Sequence, residues 1–225
     1  MSSRAGKQTP GLRLIRFAFW VLYNPLAWMY DGVSWLMSAG QWRAWQRIAL
    51  VEVQGERVLE LAFGTGDLLL DLAARRRRGL IGLDLSPTMA RIAQHKLRRE
   101  GIQVPLVRAR AQQLPFASAS LDTVVSTFPS EFIYAPETLS EIARVLALEG
   151  RAVIVVLAHL LPDTLWERLL EWLYRITGQR APLSPLDAQL AALNLERRMV
   201  WRSAGRSKVL LAVLRHADCA AHVDG

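Results

Sequence analysis

The densest chemistry in the chain lies in eight residues, Glu60-Leu61-Ala62-Phe63-Gly64-Thr65-Gly66-Asp67. They follow an apolar run that reads as a strand and lead into one that reads as a helix. Gly64 and Gly66 can therefore let a ligand approach the backbone closely at a helix N-terminus. A dinucleotide fingerprint needs a third glycine three residues after Gly66, and that position is Leu69, which counts against NAD. Two carboxylates complete the set. Glu60 sits where the first strand ends, and Asp84 ends the second strand 18 residues after Gly66, placed to accept hydrogen bonds from ribose hydroxyls. A methionine-derived sulfonium cofactor has no pyrophosphate to neutralise and presents an ammonium, a carboxylate and a ribose diol. A glycine turn flanked by two acids suits those groups.

The elements that must position this turn alternate from Glu56 onward. Short runs rich in branched apolar residues at 57–62, 80–84, 104–108, 121–127 and 151–157 read as strands. Helices are expected at 67–76, 87–100 and 136–148, which argues for a parallel sheet with helices on both faces. The second helix is the best defined, with Ser86 as cap, Pro87 in the first turn, an apolar face of Met89, Ile92, Ala93 and Leu97, and Gly101 as stop. An amphipathic pattern follows at 162–177. The runs 195–201 and 208–214 flank the turn at 203–206 and predict an antiparallel final strand. Ahead of the core, an aromatic stretch at 12–37 and a short pattern at 42–51 both read as helical.

Composition limits the rest. The 225 residues are 52% hydrophobic and 21% charged, enough for one domain with a sizeable core. The one cysteine, Cys219, cannot form a disulfide framework, and His95, His159, His216 and His222 are scattered, so no metal is expected. A net charge of +8 favours an anionic partner, nucleic acid or membrane surface. Part of that excess, at 75–78 and Arg98-Arg99, lies at helix C-termini, where cations suit the dipole. Asn24-Pro25 interrupts the aromatic stretch and Asp31 ends it. It reads as neither an export signal nor a bilayer span, and the expected location is the cytoplasm with peripheral contact to the inner membrane face.

Four segments, VLELAFGTGDL (58–68), GLIGLDLSPTM (79–89), QQLPFASASLDTVVSTF (112–128) and EIARVLALEGRAVIVV (141–156), resemble the class I S-adenosylmethionine-dependent methyltransferases. The resemblance extends over about residues 30–214. It implies a Rossmann-like, seven-stranded, mostly parallel sheet with helices on both faces, an antiparallel last strand and an N-terminal helical extension. It divides the chain into an arm and helical cover at 1–50, a methyltransferase domain at 51–216 and a polar tail at 217–225. S-Adenosylmethionine is the cofactor it implies. Gly64, Thr65 and Gly66 would hold the amino acid end, in the loop that also contains Glu60 and Ala62. Asp84, with Leu85 and Met89, would hold ribose, Ala111 and Gln112 would flank adenine, and Ser126 and Thr127 would lie beside the methyl group.

Three positions depart from the family pattern. Ala62 replaces the first glycine of the loop, a mild change by sequence alone. Arg110 stands where Asp or Asn is common and cannot accept a hydrogen bond from the adenine amino group. Leu148-Glu149-Gly150-Arg151 replaces Lys-Pro-Gly-Gly, affecting turn geometry. Tyr30-Asp31, 37–40, Trp45 and 64–68 look like the ubiquinone/menaquinone-biosynthesis C-methyltransferases, whose background is shared by bacterial phospholipid N-methyltransferases.

Methyl transfer needs a base only where the nucleophile must first lose a proton. Glu131 and His159, after the fourth and fifth strands, are the candidates, and Tyr30 with Asp31 could close over the site. Five of the eight tryptophans lie between Trp20 and Trp45 among arginines, which reads as helix packing or as a greasy cover at a membrane interface. The expected acceptor is small and apolar or lipid-like, of quinone or phospholipid type. Nucleic acid is the disfavoured partner, because Ser126-Thr127-Phe128-Pro129-Ser130 lacks the Asn/Asp-Pro-Pro-aromatic pattern of amino-directed enzymes. A cofactor-binding protein without catalysis is the other alternative. Oligomeric state is not legible.

Overall fold

The computed structural model describes residues 38, 40–75, 78–160 and 186–217. Helix α1 (Trp42–Arg47) continues into a 3-10 turn at Ile48–Val51. Then follow β1 (Val58–Leu61), α2 (Asp67–Arg75), β2 (Leu80–Asp84), α3 (Pro87–Arg99), β3 (Leu106–Arg108) and β4 (Leu121–Thr127). A 3-10 turn at Glu131–Tyr134 leads to α4 (Pro136–Val145) and β5 (Leu146–Leu160). The described chain closes with α5 (Asp187–Ala192), β6 (Leu195–Ala204) and β7 (Ser207–His216).

The seven strands form one sheet in the order β3-β2-β1-β4-β5-β7-β6. β1 pairs in parallel with both β2 and β4, and β4 in parallel with β5, while β7 runs antiparallel to its two neighbours. This is the expected Rossmann-like sheet with one reversed strand. Strand order turns back between β1 and β4, so their connections leave on opposite faces and open a crevice at the carboxyl ends of the strands.

The strand sequences fit burial on both sides. Val58, Val125, Val153, Val155 and Leu211 pack on one face with Trp45, Leu68, Leu69 and Ala93 of the helices. Leu59, Leu83, Val124, Ile154 and Leu214 pack on the other with Leu139, Ile142 and Leu190. Such strands read as continuous apolar runs rather than as alternation. The cap of α3 forms as its residues dictate: Ser86 Oγ accepts the Met89 N–H at 3.3 Å, and Pro87 takes the first turn.

Two expectations need correction. The helix expected at 136–148 ends at Val145, and Leu146 already pairs with Leu121 as the first residue of β5. Ala119 and Ser120 donate to the carbonyls of Arg144 and Val145 at 2.9 Å, the acceptors a further helical turn would need. The ladder then jumps to Thr123 opposite Arg151, and Gly150 sits where a Cβ would be 3.0 Å from the Leu121 carbonyl. β5 also outruns the expected 151–157, reaching Leu160 because β7 pairs with its upper half. Helix α5 had no counterpart in the sequence reading. The patterns at 12–37 and 162–177, and the tail from 218, lie outside the described residues. Among the described residues no helix is long and apolar enough to cross a membrane.

Candidate active site

The carboxyl ends of β1, β2 and β4 meet at one edge of the sheet, and Asp84 ties the first two together. Its Oδ2 accepts the Gly64 N–H at 2.9 Å and its Oδ1 the Ser86 N–H at 2.8 Å. Burial pushes the Asp84 carboxyl up, while the N–H groups of Ser86, Gly64 and Leu85 pull it back toward the ionised form. Each oxygen keeps a lone pair for a further donor.

The two glycines of the turn serve different ends. Both have left-handed backbone, at φ 56 for Gly64 and 83 for Gly66. A Cβ on Gly66 would lie 2.7 Å from the Cβ of Ala93, so this glycine lets α3 close against the loop. A Cβ on Gly64 would meet nothing within 4 Å, so its outer side is open to a ligand. Thr65 between them is buried. Ala62 also has φ 59, where an alanine costs about 1 kcal/mol, so its replacement of glycine is strained rather than mild.

Glu60 is 1% exposed, and its Oε2 has no hydrogen-bond partner. Burial pushes its carboxyl well above the usual range, and Asp67, Asp84 and Asp71 push it further. The neighbouring acids are engaged already: Lys96 Nζ lies 2.8 Å from Asp67, and Arg43 and Arg47 reach Asp71 at 3.0 and 2.7 Å. Among the described residues no cation pairs with Glu60. The ammonium of a methionine-derived cofactor fits that deficit, and the Asp84 lone pairs beside the open Gly64 fit a ribose diol.

Beyond Asp84, Leu85 is 57% exposed, an apolar plate next to a polar cradle, while Met89 beneath it is buried. Ala111 is buried and Gln112 exposed. The Arg110 side chain is exposed, and its carbonyl accepts the Gln113 N–H at 3.1 Å.

On the β4 side, Ser126 is buried with its Oγ donating to the Leu61 carbonyl at 2.8 Å, which clamps β4 to β1. Thr127 Oγ1 accepts Gln46 Nε2 at 3.3 Å. Phe128, with left-handed φ 48, stacks on Trp42 at 4.6 Å and lies 6.1 Å from Trp45. Gln46 Oε1 and Trp45 Nε1 are buried and have no hydrogen-bond partner among the described residues. Helix α1 therefore supplies one wall of the site, a wall the sequence reading did not assign to Gln46, Trp42 or Phe128. The aromatic spacing of Trp42 and Trp45 was visible, but their partner at Phe128 is distant in sequence.

Glu131 stands exposed at the start of its 3-10 turn. His159 lies inside β5 rather than past it, its ring 5.4 Å from Trp201 of β6. Tyr30 lies outside the described residues. The strands thus gather Glu60, Ala62, Gly64, Thr65, Gly66, Asp84 and Leu85 at one edge with Ser126 and Thr127. Among the described residues no group of three or more His, Cys, Asp or Glu is arranged for a metal. A cavity on the opposite face, lined by Ile133, Leu139, Ile154 and Leu190, measures about 20 Å³, room for a single water.

Residues 58–150 match the family described as methyltransferase domain. A demethylmenaquinone methyltransferase of Thermus thermophilus is 35% identical over 139 residues, 60% of this chain and 63% of that protein. A ubiquinone/menaquinone biosynthesis C-methyltransferase of Geotalea uraniireducens is 30% identical over 142 residues, 60% of each chain. The chain spans less than two thirds of the length of these relatives. In three dimensions a Methanococcus maripaludis protein ascribed to the S-adenosyl-L-methionine-dependent methyltransferases superposes with a TM-score of 0.61 at 14% identity, covering 94% of this chain and 95% of its own. A geranyl diphosphate C-methyltransferase of Streptomyces coelicolor gives 0.54 at 12% identity, over 72% and 73% of the two chains. At such identities the likeness is one of fold.

Proposed function

We propose that this chain, whose residues 58–150 match the methyltransferase domain family, is a class I enzyme that moves a methyl group from S-adenosylmethionine to an apolar acceptor of quinone type. The observation that carries the cofactor half is Glu60, a buried carboxyl with an unpartnered oxygen beside a glycine turn that is open on one side. The acceptor half rests on the names of the relatives and on the aromatic wall of Trp42 and Phe128.

Bound cofactor supplies an electrophilic methyl on a positively charged sulfur. The part of the protein is to hold and to exclude. Glu60 and the Gly64 turn fix the amino acid end, Asp84 fixes the ribose hydroxyls, and Leu85 packs on the base with Ala111 and Gln112 at its rim. Trp42 and Phe128 hold a planar acceptor and exclude water, so that in-line approach comes from positioning. Gln46 Oε1 and the Thr127 hydroxyl are placed to meet polar atoms on the acceptor. If the nucleophile is a ring carbon, one proton must leave, and Glu131, His159 and Tyr30 are the groups to test as its carrier.

Residues 51–216 form the catalytic unit in this reading, with 1–50 as cover and 217–225 as tail. In this reading the aromatic-basic sequence at 12–37 contacts the cytoplasmic membrane face, where an apolar acceptor partitions. Calorimetry with S-adenosylmethionine and its demethylated product tests the first half, with binding of both expected. Binding of neither would remove the enzyme reading. Labelled methyl transfer into a demethylated quinone, compared with a phospholipid and a transfer RNA, tests the second half.

A further inference from the structure

We propose that the β6–β7 hairpin tip, carrying Trp201, Arg202, Arg206 and Lys208, seats the active-site edge of the sheet on an anionic lipid surface. The inference rests on the reading that the acceptor is apolar, and it adds the surface and orientation by which such an acceptor is reached. The register places the tip. Thr127, the last residue of β4, lies opposite Val155, whereas Ser207 lies opposite Leu160, so β5 and the hairpin project five residues beyond β4 on the side where the Gly64 turn opens. At about 3.3 Å per residue the projection is roughly 15 Å.

The composition of the tip matches a charged bilayer interface. From 197 to 217 the sequence holds Arg197, Arg198, Arg202, Arg206, Lys208 and Arg215 and no carboxylate. Trp201 is 49% exposed on the edge strand, and Arg202, Arg206 and Lys208 are exposed around it. A half-exposed indole among cations suits the headgroup layer, where the ring is apolar and its N–H is wet. A nucleic acid backbone would use the cations but has less need of the indole.

The tip is also held in place. Ser207 is fully buried and its hydroxyl bonds Gln41 Oε1 at 2.7 Å, which ties the hairpin to the start of α1. The His159 ring supports Trp201 from β5. Arg202 pairs with Glu52 at 2.9 Å and helps to hold the hairpin, so replacing it would disturb the fold as well as the charge.

The test is co-sedimentation of the full chain with phosphatidylglycerol-containing vesicles and with pure phosphatidylcholine vesicles, across a salt series. Binding to the anionic vesicles alone, weakening with salt, is expected. The double variant Arg206→Gln/Lys208→Gln should lower the partition coefficient on the order of 30-fold. Trp201→Ser should lower it further without changing the salt slope. Each variant is accepted only with a wild-type melting curve and wild-type cofactor affinity by calorimetry. Equal partition of the double variant and the wild type would overturn the proposal, as would retention on RNA with no vesicle binding. A chain that binds vesicles through the tip but neither cofactor nor product would remove the enzyme reading and leave the docking surface standing.

Discussion

Glu60 and Asp122 lie on neighbouring strands, β1 and β4, near opposite ends of the sheet, and the fold treats the two carboxyls in opposite ways. Asp122 accepts the backbone N–H groups of Glu56 and Arg57 at 2.9 Å through Oδ2, while the Arg57 guanidinium binds Oδ1. The Arg57 side chain first, and these N–H groups with it, hold the Asp122 carboxyl down at about 2. Around it Gln54 donates its N–H to the Thr123 hydroxyl and accepts from it, at 3.1 and 2.7 Å, and a Cβ on Gly55 would run into Asp122. Glu60 has the reverse surroundings, buried, facing acids and unpartnered on one oxygen. Left-handed Ala62 and Phe128 strain the backbone on either side of it. At the amino edge the chain finishes its own polar network, and at the carboxyl edge it leaves groups for something else to finish. Strain and unpaired polar groups persist only where the surrounding fold can bear their cost, and they gather at functional sites.

Substitutions at the two edges should separate binding from stability. Asp84→Ala has the largest expected effect, weakening cofactor affinity by at least about 100-fold, since two hydrogen bonds to a charged group contribute about 1.5–3 kcal/mol each. Calorimetry that finds wild-type affinity would break the comparison at its strongest point. Glu60→Gln should weaken affinity by about tenfold, the loss of one ionic contact partly replaced by an amide. Its effect on stability runs the other way. The folded carboxyl is raised above its unfolded value near 4.3, so its contribution is full below that value and is lost as pH rises through the folded one. The variant should therefore gain on the wild type in melting temperature as pH rises above that unfolded value, and wild-type cofactor binding should release a proton that the variant does not. Buffers of different ionisation enthalpy would reveal that proton.

Asp122→Ala should leave cofactor affinity unchanged and cost about 1 kcal/mol, less than its shift alone implies because the pair is open to solvent. The folded value of about 2 lies below the ordinary one, so this contribution is present above pH ~4 and fades as pH falls through about 2. Denaturant melts at pH 7 and pH 3 measure it, and a pH-independent loss would assign the effect to packing. Ala62→Gly carries the smallest effect, a gain of up to about 1 kcal/mol from relief of left-handed strain. A lower melting temperature would show that the alanine methyl contributes packing instead.

Much of the fold was legible because its signals are local. Ser86 and Pro87 mark the start of α3 without help from the rest of the chain, and the apolar runs at 80–84 and 121–127 became strands over those same residues. The overshoot of α4 arose because Leu146 and Leu148 continue a helical period, while the groups that stop it, at Ala119 and Ser120, come from another part of the chain. The turn at Gly64 and the acid at Asp84 were readable as a pair, since their spacing follows from one strand-helix-strand unit. The wall built by Gln46, Trp42 and Phe128 was not, because the Gln46 to Thr127 bond spans 81 residues.

By itself, then, the sequence determined the alternation of strands and helices, the glycine turn with its two acids, and the chemistry of the ligand those groups suit. Each depends on residues within one supersecondary unit, where spacing and side-chain type fix the outcome. The tertiary structure decided which acid would be left unpaired, that Ala62 and Phe128 would be left-handed, that α1 would wall the site, and that the β6–β7 hairpin would rise on the active-site edge. Those outcomes depend on strand order and on contacts between distant segments, and burial of a carboxyl or strain in a backbone exists only once those segments have packed.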